Sequence, residues 1–441
     1  MSVDRVTRAL ASRWPNEDKM QPDLERIRLL LDLLGSPQKS YPAIHIGGTN
    51  GKTSTARITD SLLRAFGVRP GRYTSPHLES ITERITIDGQ PLTDEQFGAA
   101  YDDIAPYVEL VDSRMPVPMT FFEVLTGMAF AAFADAPVDA AVVEVGLGGL
   151  WDATNVLEAA TTIVTPVGLD HVPLLGSTLA EVAAEKAGII HAGSTVVLSA
   201  QPPEAAEVLL RRIAEVGATV AREGLEFGVV DRRTAVGGQL ITLQGLAGTY
   251  DEMFLPLFGA HQAANAAAAV AAVEIFLGGG ESRQIDPDAV REGLADASSP
   301  GRLEVVRTSP TIVLDAGHNP HGMEATVRAL GDSFTFSRLV GVVACLADKD
   351  ARGMLEVLEP ALTSIVVTSN SSPRALPVDD LQAMAIEIFG EDRVAAEDRL
   401  DDAIDTAVQI VEDGAEYGGA GVLVTGSVVT VGEARALLKV R

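Results

Sequence analysis

Apolar runs of about five residues recur along most of the chain, separated by segments of helical periodicity. The runs predict strands at Ala43–Ile46, Ala140–Val145, Thr162–Val167, Thr195–Ser199, Thr311–Leu314, Leu339–Ala344, Ser364–Thr368 and Gly421–Thr425. The periodic segments predict helices at Ser54–Phe66, Phe122–Phe133, Leu179–Ala187, Gln262–Phe276, Gly322–Leu330, Asp379–Ile388 and Leu400–Val411. Such a rhythm belongs to a mostly parallel sheet whose crossover helices cover both faces. Ala221 to Leu257 departs from it, with short β-rich runs such as Gly238–Leu243 between turn residues. A small antiparallel sheet packed on the first domain is expected there. Ala297-Ser-Ser-Pro-Gly301 is short, small and polar, ends in Pro-Gly, and reads as a hinge. The α/β rhythm restarts beyond it, which predicts domains at 1–298 and 299–441.

Length and composition agree with that division. A chain of 441 residues is too long for one ordinary core, so two or three domains are expected. Apolar residues at 46% and charged residues at 22% describe a globular protein. The formal charge of −27 opposes binding of nucleic acid. It leaves room for a small anion, because a local group of Lys, Arg and helix starts can override the global field. The single cysteine, Cys345, excludes an internal disulfide and a cysteine-rich metal site. Within Leu339–Cys345 it reads as a small buried apolar residue. No apolar stretch is long and uncharged enough to span a bilayer, and Met1–Asn16 lacks the apolar centre of a signal peptide. A soluble cytoplasmic protein with no membrane partner is expected.

The most informative local pattern is Gly47-Gly48-Thr49-Asn50-Gly51-Lys52-Thr53, set between a predicted strand and a predicted helix. Glycines there let backbone N–H groups close on a phosphate, and the helix start adds partial positive charge. Lys52 is placed to neutralise the outer phosphates and the Thr53 hydroxyl to reach Mg²⁺. The first glycine of the general P-loop pattern is missing, because its position is Ile46. A second constellation, Val142 to Asn155, puts Glu144 at a strand's carboxyl edge ahead of several glycines. Ligands bind at that edge in α/β folds, and a carboxylate beside nucleotide phosphate is the usual way to hold Mg²⁺. Asp170-His171 closes another strand, and Lys186 lies on a helix where a solvated lysine is the ordinary reading. Beyond the hinge, Leu314 to Pro320 ends a strand and opens a helix, carrying Asp315 and His318 to the sheet edge. Arg302 follows Pro300-Gly301 and either reaches phosphate on domain closure or is a surface charge.

In order along the chain, Gly48–Thr53, Thr74–Leu78, Thr82–Arg84, Thr120–Glu123, Glu144–Asn155, Asp170-His171, Glu185–Gly188, Pro300–Arg302 and Asp315–Pro320 resemble the folylpolyglutamate synthase/dihydrofolate synthase family, a branch of the Mur ligase superfamily. The resemblance runs from about residue 20 to the carboxyl terminus. It implies an α/β protein: a P-loop doubly wound, mostly parallel sheet domain with a small accessory β-sheet, then a C-terminal Rossmann-like α/β domain. It implies ATP at Gly48, Thr49, Asn50, Gly51, Lys52, Thr53, Asn265, Arg302 and Asp315. It implies magnesium, as two ions, at Thr53, Thr74, Glu144, His171 and Lys186, with Lys186 carried as a carbamate. Thr120, Phe121, Phe122, Glu123, Trp151, Asp152 and Ala153 match pterin-binding positions. His318 and Ser427 match positions that place the incoming glutamate. Lys52, Lys186 and His318 are the implied catalytic residues. Leu346–Asp350 and Ser372–Arg374 match further family segments.

The implied reaction joins the amine of L-glutamate to the carboxylate of dihydropteroate or a folate, using ATP and an acyl phosphate, in a monomeric enzyme. The chain contains no serine- or cysteine-centred triad, and none is needed. Closure about Ala297–Gly301 is expected in each turnover. The family usually reads Gly-Gly-Arg-x-Asp-Ala-Thr-Asn, and here the arginine position is Leu150. That change removes a cation beside the implied acceptor pocket, so a Mur-type ligase acting on a different carboxylate stands as the alternative. A non-catalytic nucleotide-binding protein is a further one, opposed by the joint presence of Lys52, Glu144, His171 and Lys186.

Overall fold

The computed structural model describes residues 3–13, 23–278, 283–413 and 419–439. Eight strands form the first sheet: β1 Ala43–Gly47, β2 Pro70–Tyr73, β3 Ile85–Ile87, β4 Gln90–Pro91, β5 Ala140–Glu144, β6 Thr161–Val164, β7 Thr195–Leu198 and β8 Thr219–Arg222. Their spatial order is β4-β3-β2-β5-β1-β6-β7-β8. The pairings from β2 to β8 are parallel, and only β3 and β4 turn antiparallel at one edge. All five residues of β1 are buried, as an apolar run covered on both faces requires. From β1 the chain passes to β2 on one side, then reaches β6, β7 and β8 on the other. The strand order therefore reverses at β1, and the crevice beyond its carboxyl end is the switch point where α/β sheets bind ligands.

A second, three-stranded sheet comprises β9 Gly228–Ala235, β10 Gly238–Gln244 and β11 Thr249–Leu255, in the order β11-β10-β9. The two-residue connection Val236-Gly237 and the short Gly245–Gly248 link are possible only between antiparallel neighbours. The expected antiparallel run from Ala221 begins later than predicted, because Thr219–Arg222 pairs with β7 and extends the first sheet.

The last sheet contains β12 Glu304–Thr308, β13 Thr311–Asp315, β14 Arg338–Val343, β15 Ser364–Val367, β16 Val394–Ala396 and β17 Ala420–Thr425. Its order is β12-β13-β17-β14-β15-β16, parallel except for β12. The chain forms two compact units, 1–232 with 240–256 and 263–298, and 299–441 with 233–239 and 257–262. A single cut at 298/299 thus omits two short segments around the accessory sheet that group with the later unit.

Strands end about a residue from their expected limits, with one informative exception. β6 stops at Val164 because Thr165 turns back, its N–H donating to Gly47 O at 2.8 Å and its hydroxyl to the same carbonyl at 3.0 Å. The helix after the glycine loop starts at Lys52, two residues earlier than its apolar pattern suggests. Helix Asp94–Arg114, with Pro106 inside it, is not among the predicted helices. Cys345 is buried in the core of the second unit and its thiol is pushed up to about 12 by burial, consistent with a packing role.

Candidate active site

The glycine loop leaves β1 at the switch point. Gly48 and Gly51 adopt φ of 129° and 90°, a region that side chains rarely enter. Space excludes a side chain as well: a Cβ on Gly48 would lie 2.0 Å from Thr165 Oγ1, and one on Gly51 2.6 Å from Asn265 Oδ1. The loop is tied to the β6 end by Thr49 N donating to Pro166 O at 3.0 Å. Its hydroxyl completes the tie, donating to Gly168 O and accepting from Gly168 N, each at 3.0 Å. Lys52 Nζ donates to Thr49 O at 3.0 Å, so the ammonium folds back over the loop. Helix Lys52–Ala65 has Gly51 as N-cap and no side-chain cap. At that start the helix dipole favours an anion.

Register puts Glu144 beside Ile46 at the same edge. Its carboxylate, only 1% exposed, accepts from Thr53 Oγ1 at 2.8 Å and from Ser75 N at 3.0 Å. Thr53, Glu144 and the Thr74-Ser75 turn are thus brought together, and Asn265 stands against the loop at Gly51. A hydroxyl and a carboxylate are the hard oxygen donors Mg²⁺ prefers, with phosphate oxygens and water to complete its shell. The residues present fit that ion. Among the described residues, no three His, Cys, Asp or Glu side chains come together as a metal cage. His171 has a φ of 49°, and its ring lies 4.0 Å from Asp170.

Lys186 is buried at the end of helix Leu179–Ala187, and its Nζ donates to Gly48 O at 2.8 Å. Burial pushes its pKa down to about 7, with help from Lys52 and against Asp170, Asp152 and Glu185. The solvated lysine of the local pattern is instead a group poised against the phosphate loop.

Thr120–Glu123 and Trp151–Ala153 form a third region of the same unit. Thr120 and Glu123 make a capping box for helix Phe121–Asp135, and Glu123 also accepts from Arg26 Nε at 3.0 and 3.2 Å. The carboxylate thus serves its own helix and a buried arginine, leaving the neighbouring rings as the wider surfaces. Phe121 packs under Arg84 at 5.2 Å, and Phe122 lies against Tyr73 at 5.8 Å between ring centres. Arg84 Nε also donates to His77 Nδ1 at 2.9 Å. Asp152 is buried and accepts from Leu147 N, Thr154 N and Thr154 Oγ1 at 2.9, 2.9 and 2.5 Å. Burial raises its pKa, and those hydrogen bonds work against the shift. Ala153 is buried, Trp151 half-buried, and Leu150 is 53% exposed. The Leu150 backbone is held by its N–H on Glu185 O at 2.9 Å and by Asn155 Nδ2 on its carbonyl at 3.0 Å.

In the other unit, Asp315 ends β13 level with Thr425 of β17. It accepts from Leu303 N and Gly317 N at 3.0 Å each and from Thr326 Oγ1 at 2.6 Å. His318 Nδ1 lies 3.0 Å from Ala316 O, so that nitrogen carries the proton. Ser427 is the N-cap of helix Val428–Leu437, accepting from Thr430 N at 3.1 Å. Arg302 follows Gly301, whose N–H donates to Glu304, and its own N–H donates to Ser299 O.

Arg26 and His45 carry polar connections that the sequence reading missed. Local periodicity could not find the first, since Glu123 lies 97 residues away.

Two family patterns match the chain. The Mur ligase middle domain covers residues 46–273, and the Mur ligase glutamate ligase domain covers 301–428. The chain is therefore a Mur ligase. It is 51% identical to the dihydrofolate synthase/folylpolyglutamate synthase of Mycobacterium tuberculosis, over 99% of this chain and 94% of that protein. It is 34% identical to the Bacillus subtilis protein of the same name, over 95% and 96%. The M. tuberculosis folylpolyglutamate synthase structure complexed with ADP superposes with a TM-score of 0.94, covering 98% of this chain and 97% of that one. The E. coli FolC structure in complex with DHPP and ADP gives 0.86 at 29% identity, over 100% and 98%. The chain belongs to the dihydrofolate synthase/folylpolyglutamate synthase family.

Proposed function

We infer that this enzyme is an ATP-dependent ligase joining L-glutamate to dihydropteroate and to folates through an acyl phosphate. The observation carrying this reading is the uncapped helix start at Gly51, with Lys52 folded over the loop and the Thr53–Glu144 pair beside it. The family relation supplies the substrates.

The acceptor carboxylate oxygen attacks the γ-phosphorus, and ADP leaves. The glutamate amine then attacks the acyl carbon, and the tetrahedral intermediate collapses with loss of phosphate. Amides of Gly48–Thr53 hold the phosphates, while Lys52 offsets charge building on the transferring group. Asn265 of the first unit, and Arg302 and Asp315 of the second, match nucleotide-contacting positions of the family, and Asp315 keeps one lone pair beyond its three internal donors. Thr53, Thr74, Glu144, His171 and Lys186 would hold Mg²⁺, which would supply positive charge to the phosphate oxygens. As a carbamate Lys186 gains oxygen donors, and the depressed pKa supplies the neutral amine that reacts with CO₂. Thr120–Glu123 and Trp151–Ala153 bound the pterin. His318, which follows β13, and Ser427, which follows β17 at the same sheet edge, are assigned to the glutamate amine. The enzyme acts as a monomer in the cytoplasm.

With ¹⁸O in the acceptor carboxylate, one label should appear in inorganic phosphate, with ADP as co-product. AMP and pyrophosphate, or label kept wholly in the amide, would exclude this path. Mass spectrometry of products from dihydropteroate and from tetrahydrofolate tests the acceptor. Turnover of neither would favour a different carboxylate, a reading that the exposed apolar Leu150 supports.

A further inference from the structure

We propose that His45 is a positioning residue for the acceptor, acting through Thr154 on the Asp152 loop. This rests on the acceptor reading above. His45 lies in β1 between Ile44 and Ile46, opposite Val143 of β5 and Thr162 of β6, and is fully buried. An imidazole there is costly, since a valine or leucine would pack without burying polar atoms. Its Nε2 lies 2.8 Å from Thr154 Oγ1, which in turn lies 2.5 Å from Asp152 Oδ1. The threonine hydroxyl has one hydrogen. The carboxylate oxygen, already accepting from Thr154 N, takes it, so Oγ1 must accept from His45 Nε2–H.

The tautomer is thereby set, and Nδ1 becomes a buried acceptor that has no hydrogen-bond partner. The ring stays neutral, because burial, aided by His191, pushes its pKa down to about 3. Half of the imidazole is left unsatisfied, and the half that is satisfied points at one loop.

That loop bears on the chemistry. Asp152 holds Leu147 N from its other oxygen and directly follows Trp151. The phosphate loop leaves the same strand two residues after His45, at Gly47. One rigid strand thus sets both the phosphoryl donor and, through His45–Thr154–Asp152, the loop that seats the acceptor. Reacting groups held to a fraction of an ångström are what such a shared reference provides. His45 touches neither substrate.

The test is steady-state kinetics of His45→Met, His45→Gln, Thr154→Val and Thr154→Ser in the full chain, with thermal melting alongside. His45→Met keeps bulk and removes the donor, whereas glutamine can put an N–H near the Nε2 position. Loss of one buried hydrogen bond predicts an acceptor KM raised roughly five- to tenfold, with the KM for ATP within about twofold of wild type. His45→Gln should recover most of that loss. Thr154→Val, which also removes the donor to Asp152, should raise acceptor KM at least as much as His45→Met. The double variant should be no worse than Thr154→Val, and Thr154→Ser should resemble wild type. Equal shifts in both KM values, no recovery with glutamine, or additive single effects would each overturn the proposal. If His45→Met fails to fold, the Val and Ser variants at 154 decide it alone. Wild-type enzyme that turns over neither pteroate nor folate acceptors would sink the acceptor reading itself, an outcome distinct from any pattern among the variants.

Discussion

Both units carry polar side chains at the carboxyl ends of parallel strands, yet the helix after the glycine loop of the first and two helices of the second begin differently. In the first, helix Lys52–Ala65 begins at a left-handed glycine with no side-chain cap. In the second, Asn319 caps helix Pro320–Ser333 through Gly322 N at 2.7 Å, and Ser427 caps Val428–Leu437. A capped helix start has spent part of its donor capacity on its own side chain, whereas an open one presents its amides to an anion. The first helix start thus leaves its dipole for an anion, whereas the two second-unit starts are closed by their own side chains.

The largest expected effect lies in the open loop. Lys52→Met should lower kcat by about 10²- to 10³-fold, as loss of a group stabilising transition-state charge does. Melting should stay near wild type, which separates lost catalysis from lost fold.

Next is Lys186, whose buried Nζ binds the loop carbonyl. Its folded pKa of about 7 lies below the ordinary 10.5. Below pH 7 the lysine is protonated in both folded and unfolded chains, and the folded state bears the full cost of burying the charge. Between pH 7 and 10.5 the unfolded chain binds more protons, so stability rises with pH through that window. In CO₂-free buffer, wild type should gain stability on Lys186→Met across that window and run parallel to it below pH 7. A constant gap would show that the lysine is not desolvated as the geometry requires. The same variant should lose most activity at every pH.

Smaller effects are expected at the capped edge. Asn319→Ala should cost about 1 kcal/mol of stability, read by denaturant unfolding, with the KM for ATP little changed. A large change in that KM would mean this helix start also meets the nucleotide and would erase the contrast between the edges.

The smallest effect is expected at Leu150, exposed but with a tethered backbone. Leu150→Arg should shift acceptor KM a few-fold, favouring folates already bearing glutamate, since an exposed charge pair contributes only about 0–1 kcal/mol. A shift in the KM for ATP alone would place this position at the nucleotide.

Much of the fold was legible because its strands are short apolar runs buried on both faces. The strands that escaped notice, β2, β3, β4, β8, β12 and β16, are short or mix polar residues with apolar ones. Pro70–Tyr73 carries Arg72, whose buried guanidinium is paired with Asp60 at 3.3 Å on the neighbouring helix. The glycine loop was equally legible, since its residues are consecutive. The polar partners of the Thr120–Glu123 segment and of Lys186 were less so. Nothing around Glu123 announces Arg26, and nothing around Lys186 announces the carbonyl of Gly48.

By itself the sequence determined the α/β rhythm, the glycine loop with Lys52 and Thr53, and membership of a ligase family, because each rests on local order or on motifs in register. Tertiary structure alone decided which helix start stays open, what Glu144 and Asp152 accept, and how far burial moves Lys186. The deciding contacts, Thr53–Glu144, His45–Thr154 and Lys186–Gly48, join residues 91, 109 and 138 positions apart. Hydrogen bonds and desolvation depend on distance in space, and only the folded sheet brings those residues to one edge.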